Sequence, residues 1–237
     1  MKIQHSTTNS LLARIFREHE ERLANQSFAI VLCGSADTQA QRPDSDIDYV
    51  VVTETDTAAA LTILAEVRAG LEAALSQPVS NTAVTFTAVA DLETTLGTLD
   101  GKAAQALLEA RVHPERIAAP DTFTIPEVSA AAIRDYSFHN FWTIQALVRK
   151  QLARREATAE LRPVQDMKLL KLCAIALKMR RQYFDTLPAS GELLATTQQL
   201  ISTIETLKRA TPPAGDRVLA VADAVLALRH ADFDRVS

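Results

Sequence analysis

Two aspartates, Asp46 and Asp48, stand at i and i+2 where a polar stretch gives way to the apolar run 47–52. In a strand, alternate residues share a face, so both carboxylates fall on one side while Ile47 turns into the core. Paired carboxylate oxygens are hard ligands suited to Mg²⁺ or Mn²⁺. Upstream, the run 28–33 ends in Gly34-Ser35. Gly34 lets the backbone approach a ligand closely, and a turn amide with the Ser35 hydroxyl can receive phosphate oxygens. A metal-holding face beside a phosphate-receiving turn is the layout of metal-assisted phosphoryl or nucleotidyl transfer.

That chemistry requires strands 28–33 and 47–52 to be neighbours, with the turn and the carboxylates at one sheet edge. The elements around them suit this. Asn9 or Ser10 can cap a helix carrying Leu11, Leu12, Ile15, Phe16 and Leu23. A helix opening at Asp56 or Thr57 carries Leu61, Leu64, Val67, Leu71 and Leu75 and closes near Pro78. A third strand is predicted over 83–89, rich in Val, Thr and Phe, and a helix over 102–110. Residues 117–126 hold two prolines and little periodicity and read as a linker. Beyond it the pattern is wholly helical, in four pieces over 127–156, 164–186, 190–210 and 216–231. The second carries the stripe Leu170, Cys173, Leu177 and Phe184, and the last Val218, Val221, Val225 and Leu228. The expected fold class is α+β: a mixed sheet with helices over 1–120 and an all-α bundle over 126–237.

Asp-x-Asp alone has little specificity. The chain has 15 aspartates, and the pattern occurs three times. Asp44-Ser45-Asp46 overlaps the candidate. Asp232-Phe233-Asp234 has no Gly-Ser turn before it and reads as solvated charge in a polar tail. Specificity comes from the order: helix, apolar strand, Gly-Ser, ten residues, Asp-Ile-Asp, apolar strand. That order, in Cys33-Gly34-Ser35 and Asp46-Ile47-Asp48-Tyr49-Val50, resembles the nucleotidyltransferase superfamily that shares the DNA polymerase β palm. The resemblance covers about residues 10–115. The compact size and the helical half are most similar to the minimal and aminoglycoside-type members. It implies that Asp46 and Asp48 are catalytic and hold Mg²⁺ or Mn²⁺, and that Gly34 and Ser35 bind the nucleotide. The family's third carboxylate, on the next strand, has no counterpart here. Its expected place falls near Ala83 or Thr85, while Asp91 and Glu93 come past the strand end. General-base help is often worth about 10²–10⁴ in rate, so this departure bears on turnover more than on fold.

Charge divides along the same line as pattern. Residues 1–125 hold 9 Lys and Arg against 17 Asp and Glu, and residues 126–237 hold 16 against 12. An acidic half suits cations and a basic half suits an anion, with an active cleft expected between them. Lys168, Lys171 and Lys178 lie off the apolar stripe of their helix. Lys168 and Lys171 are the candidates for binding the triphosphate, and a solvated helix face is the plain alternative. Arg134 and His139 match the Arg-x4-His pattern of HEPN ribonucleases. Five residues on a straight helix set those side chains about 140° apart. His139 therefore reads as packed or interfacial beside Phe141 and Trp142. The remaining histidines, His5, His19, His113 and His230, have no ligand spacing, and Cys33 and Cys173 read as small core residues.

The net charge of −4 and the low aromatic content argue against nucleic acid as a partner. No apolar run reaches the roughly 18 residues of a membrane span. The polar stretch 1–9 lacks the apolar core of a signal peptide, which leads to the expectation of a cytoplasmic protein. The expected activity is transfer of a nucleoside monophosphate, AMP from ATP, to a hydroxyl of a small molecule or protein, with a homodimer as a possible assembly. The alternative is a weakly catalytic or inactive nucleotide-binding, regulatory (antitoxin-like) protein of the same fold.

Overall fold

The structure is a computed structural model. It describes residues 14, 17, 28–33, 47–53, 57–75, 79–85, 92–96, 101–112, 114, 117–119, 123–157, 162–188, 190, 191–210, 212–228 and 231–234. The chain divides into two compact units, Met1–Glu127 and Val128–Ser237. Among the described residues the first carries strands and helices and the second helices alone, so the fold class is α+β.

The first unit runs β1 (Phe28–Cys33), β2 (Ile47–Thr53), α1 (Thr57–Leu75), β3 (Val79–Thr85), α2 (Leu92–Thr95), α3 (Gly101–Val112) and β4 (Ile117–Ala118). The strands form one mixed sheet in the order β3-β2-β1-β4. β1 is antiparallel to both β2 and β4, and β2 is parallel to β3. A parallel pair needs a long crossover, and α1 supplies it. β2, with the sequence IDYVVVT, is rich in β-branched residues (Ile47, Val50, Val51, Val52 and Thr53) and lies inside the sheet, paired on both sides. Tyr49, Val50, Val51 and Val52 are all shut off from solvent. Successive side chains alternate in direction, so both faces of the sheet are covered here. Burying each of these valines stabilises the fold by roughly 1.5–3 kcal/mol. α1 packs on β2 and β3, and α3 packs on β1, β2 and β3 through the buried Ala103, Ala104, Ala106 and Leu107.

Two expectations need correction in this unit. The third strand begins at Val79, four residues before the predicted start at 83. Ser80 and Asn81 have poor strand propensity, but pairing with β2 along its whole length overrides it. The stretch read as a linker opens with a strand: Ile117 pairs with Val31 and Ala118 with Ile30. Two residues are too short to carry a period, so only the partner strand reveals them.

The second unit runs α4 (Ala130–Ala157), α5 (Arg162–Asp185), α6 (Gly191–Arg209), α7 (Gly215–Ala227) and α8 (Ala231–Asp234). α5 packs against α4, α6 and α7 and supplies the central stripe Leu169, Leu170, Cys173, Ala176, Leu177 and Phe184. Phe141 and Val148 of α4, Ile204 and Leu207 of α6, and Val218, Val221 and Val225 of α7 are buried with it. Polar residues set the helix ends. The Ser129 Oγ accepts the Ala132 N–H at 3.1 Å, an N-cap on α4. Pro163 falls in the first turn of α5, where its missing N–H costs nothing. The Ser190 hydroxyl shares its one hydrogen between the carbonyls of Phe184 and Leu187, at 2.7 and 2.9 Å, and ties down the α5–α6 turn. Gln145, buried in α4, donates to the carbonyls of Val225 and Leu228 and so satisfies the open end of α7. The helix expected over 216–231 stops at Ala227, and α8 follows separately. No helix among the described residues is long and apolar enough to cross a membrane.

Candidate functional site

The antiparallel register of β1 and β2 pairs Cys33 with Asp48. β1 therefore ends where β2 begins. Cys33, which precedes Gly34-Ser35 in the sequence, and Ile47, which follows Asp46, stand at the same end of the sheet. Gly34, Ser35 and Asp46 themselves lie outside the described residues, as does the side chain of Asp48. On its other side Asp48 is in register with Ser80 of β3.

That register corrects the place expected for a third carboxylate. Ala83 is level with Val51 and Thr85 with Thr53. They stand three and five residues beyond Ser80, about 10 and 17 Å along the strand. The parallel direction of β3 brings its first residues, not its last, to the Asp48 end of the sheet. β3 holds no Asp or Glu along its length. Among the described residues no group of three or more His, Cys, Asp or Glu stands ready to hold a metal ion.

Lys168 and Lys171 are both exposed on α5. At 100° per residue they share one face with Val164 and Ile175, which are 52% and 43% exposed. The buried stripe of α5 lies on the other side, so the lysines contribute nothing to the core. Lys178, further along, is half-buried. Arg134 and His139 lie on the uninterrupted helix α4, and the structure does not bring them together. His139 is exposed, its ring 6.0 Å from that of Phe138.

Three buried charges in the helical unit, Arg155, Asp166 and Arg180, were not anticipated. Arg155, near the end of α4, donates from Nε to Asp166 Oδ1 in the first turns of α5, and both side chains are nearly excluded from solvent. The Asp166 hydrogen bond raises the Arg155 pKa against the opposing effect of burial. Gly215, the first residue of α7, fits against this pair because it has no side chain. A Cβ there would lie 3.0 Å from Arg155 Nη2 and 3.5 Å from Asp166 Oδ2. Arg180 is 2% exposed, and burial lowers its pKa while the charge of Asp232 opposes the shift. The reading of Asp232-Phe233-Asp234 as solvated charge therefore fails at Asp232 and Phe233, while the side chain of Asp234 lies outside the description. Asp232 pairs with Arg180, and Phe233 is buried. One signal was available: Phe233 is the only aromatic residue after Phe184.

No protein-family model, curated protein or solved structure matches the chain.

Proposed function

We propose that the protein is a divalent-metal-dependent nucleotidyltransferase that moves a nucleoside monophosphate, AMP from ATP, to a hydroxyl of a small molecule or protein. The pairing of Cys33 with Asp48 carries the reading. It supports a common edge for the Gly34-Ser35 turn and the Asp46/Asp48 pair, which the chemistry requires. The donor set suits Mg²⁺ or Mn²⁺, since aspartate oxygens are the hard ligands these ions prefer. Asp46 and Asp48 would hold the metal, which when bound supplies positive charge to the phosphates. Gly34 and Ser35 would take phosphate oxygens through the backbone and the hydroxyl. The acceptor hydroxyl oxygen forms a bond to the α-phosphorus and gives up its proton to solvent, the α–β anhydride bond breaks, and pyrophosphate leaves. Lys168 and Lys171 are the nucleotide-binding candidates of the helical unit.

A second reading has its own support. β3 contains no carboxylate, and the residue level with Asp48 is Ser80. A chain without a general base would bind Mg-ATP and turn it over poorly, as a regulatory protein would. One experiment separates the outcomes. Calorimetric binding of Mg-ATP is measured alongside pyrophosphate release for the parent and for Asp46→Asn/Asp48→Asn. The double variant should lose Mg-ATP binding with an unchanged or higher Tm, because like charges are removed. Binding without pyrophosphate release across a panel of acceptors favours the regulatory reading. Parent-like binding by the double variant removes the site assignment.

A further inference from the structure

The C-terminal end of the helical unit fills an aromatic box. Phe233, on the four-residue α8, is 1% exposed. Its ring stacks on Phe184 with centroids 5.3 Å apart and planes at 22°. Phe138, Phe141, Trp142 and Tyr183 close around it, with ring centroids 5.4, 5.2, 5.7 and 4.8 Å away. Arg180 forms the charged end of the box. Its Cζ lies 4.8 Å from the Phe184 centroid and 5.5 Å from that of Phe233.

Arg180 is only partly satisfied. Nε donates to Thr197 Oγ1 at 3.1 Å, but the buried Nη1 makes no hydrogen bond. The Asp232 carboxylate reaches Nη1 only as a 3.5 Å ion pair. A desolvated guanidinium is best met by a planar oxyanion at full hydrogen-bond distance. Four residues of helix have no stability of their own, so packing of the Phe233 ring and the Asp232 pair must hold α8 in place.

We infer that the aromatic box and Arg180 form a binding site for a compact aromatic carboxylate, with Asp232 and Phe233 as the internal plug that fills it when the ligand is absent. The ligand's ring takes the place of Phe233 and its carboxylate meets Arg180 Nη1. The inference does not depend on the nucleotidyltransferase reading, since every residue in it belongs to the helical unit.

The probe is 3-phenylpropionate, with 3-phenylpropanamide as its uncharged counterpart. The readout is fluorescence of Trp142, the chain's single tryptophan, in the full-length protein. Phe233→Ala should bind the acid at least tenfold more tightly than the parent does, because the plug no longer competes. The amide should bind that variant at least tenfold more weakly than the acid, and adding Arg180→Met should erase the difference. Equal binding of acid and amide, or no saturable change in a folded Phe233→Ala protein, overturns the inference. Should Phe233→Ala fail to fold, the parent decides. The acid, and not the amide, should speed hydrogen exchange of residues 231–234 severalfold as the plug leaves, and unchanged exchange overturns the inference.

Discussion

At the scale of single residues, neighbours in register matter more than neighbours in sequence. Asp48 has Cys33 on one side and Ser80 on the other. A third carboxylate beside the Asp46/Asp48 pair therefore belongs at position 80. Ser80→Asp should tighten Mg²⁺ binding about tenfold, or ~1.4 kcal/mol, since affinity for hard cations rises with the number of charged ligands. Ala83→Glu and Thr85→Asp, further along the strand, should leave it unchanged. Calorimetric Mg²⁺ titration of the three variants tests this, and a gain at 83 or 85 without one at 80 would contradict the register argument. Cys173 gives a prediction of another kind. It is fully buried in α5, and burial pushes its thiol up to about 12 from an ordinary value of 9.0. Between those values the unfolded chain has released the proton and the folded chain keeps it. The native state then binds more protons, so stability falls as pH rises through the window and does not depend on this group below pH 9. The loss approaches about 1.4 kcal/mol per pH unit. Urea unfolding at pH 8 and at pH 10.5 should show the steeper decline in the parent and a shallower one in Cys173→Ala. Parallel declines would mean that the thiol titrates alike in both states.

At the scale of elements, long periodic segments could be read from sequence and short or tertiary ones could not. The stripe Leu170, Cys173, Leu177 and Phe184 locates α5 because it repeats a helical period, and the run Val50-Val51-Val52 locates β2 through its strand propensity. β4 and α8 are too short to show a period and exist through their partners, Ile30 and Val31 for one and the Phe184 ring for the other. The candidate site followed the same division. Asp48 and its strand were legible through alternation, whereas Ser80 became a neighbour only through a pairing that no local pattern encodes. Buried ion pairs are hidden for a related reason, since an arginine in a helix reads as surface until its partner is known. Arg155 and Asp166 join α4 to α5, and Gly215 of α7 fits against them. Removing one partner leaves a buried charge without compensation. Arg155→Met should therefore cost about 3–5 kcal/mol, while replacing both residues by apolar ones should recover most of that. Denaturant unfolding of Arg155→Met and of Arg155→Met/Asp166→Leu tests this. A double variant no more stable than the single would show that the pair contributes net stability and is more than a balanced burial.

At the scale of the molecule, the two units differ in chemistry as well as in architecture. Residues 1–127 carry 9 Lys and Arg against 18 Asp and Glu, and residues 128–237 carry 16 against 11. The surplus of negative charge thus belongs to the unit with the proposed metal site, and the surplus of positive charge to the bundle. If the bundle serves the nucleotide, its cations should act on the phosphates and not on the base or the metal. Lys168 and Lys171 test this well because they are exposed, lie off the stripe of Leu169, Leu170 and Cys173, and can be removed without disturbing the core. Each Lys→Ala change at a phosphate contact should weaken ATP binding by about 1–3 kcal/mol, the scale of a charge-assisted hydrogen bond. Adenosine, which has no phosphate, should bind both variants as it binds the parent. Added salt should reduce the parent's advantage for ATP, because exposed charges are screened over about 8–10 Å at physiological ionic strength. Calorimetry of ATP and adenosine with Lys168→Ala and Lys171→Ala, at two salt concentrations, measures all of these. Equal losses for the two ligands, or none, would leave the lysines beside Val164 and Ile175 as a surface of the bundle with no part in nucleotide binding.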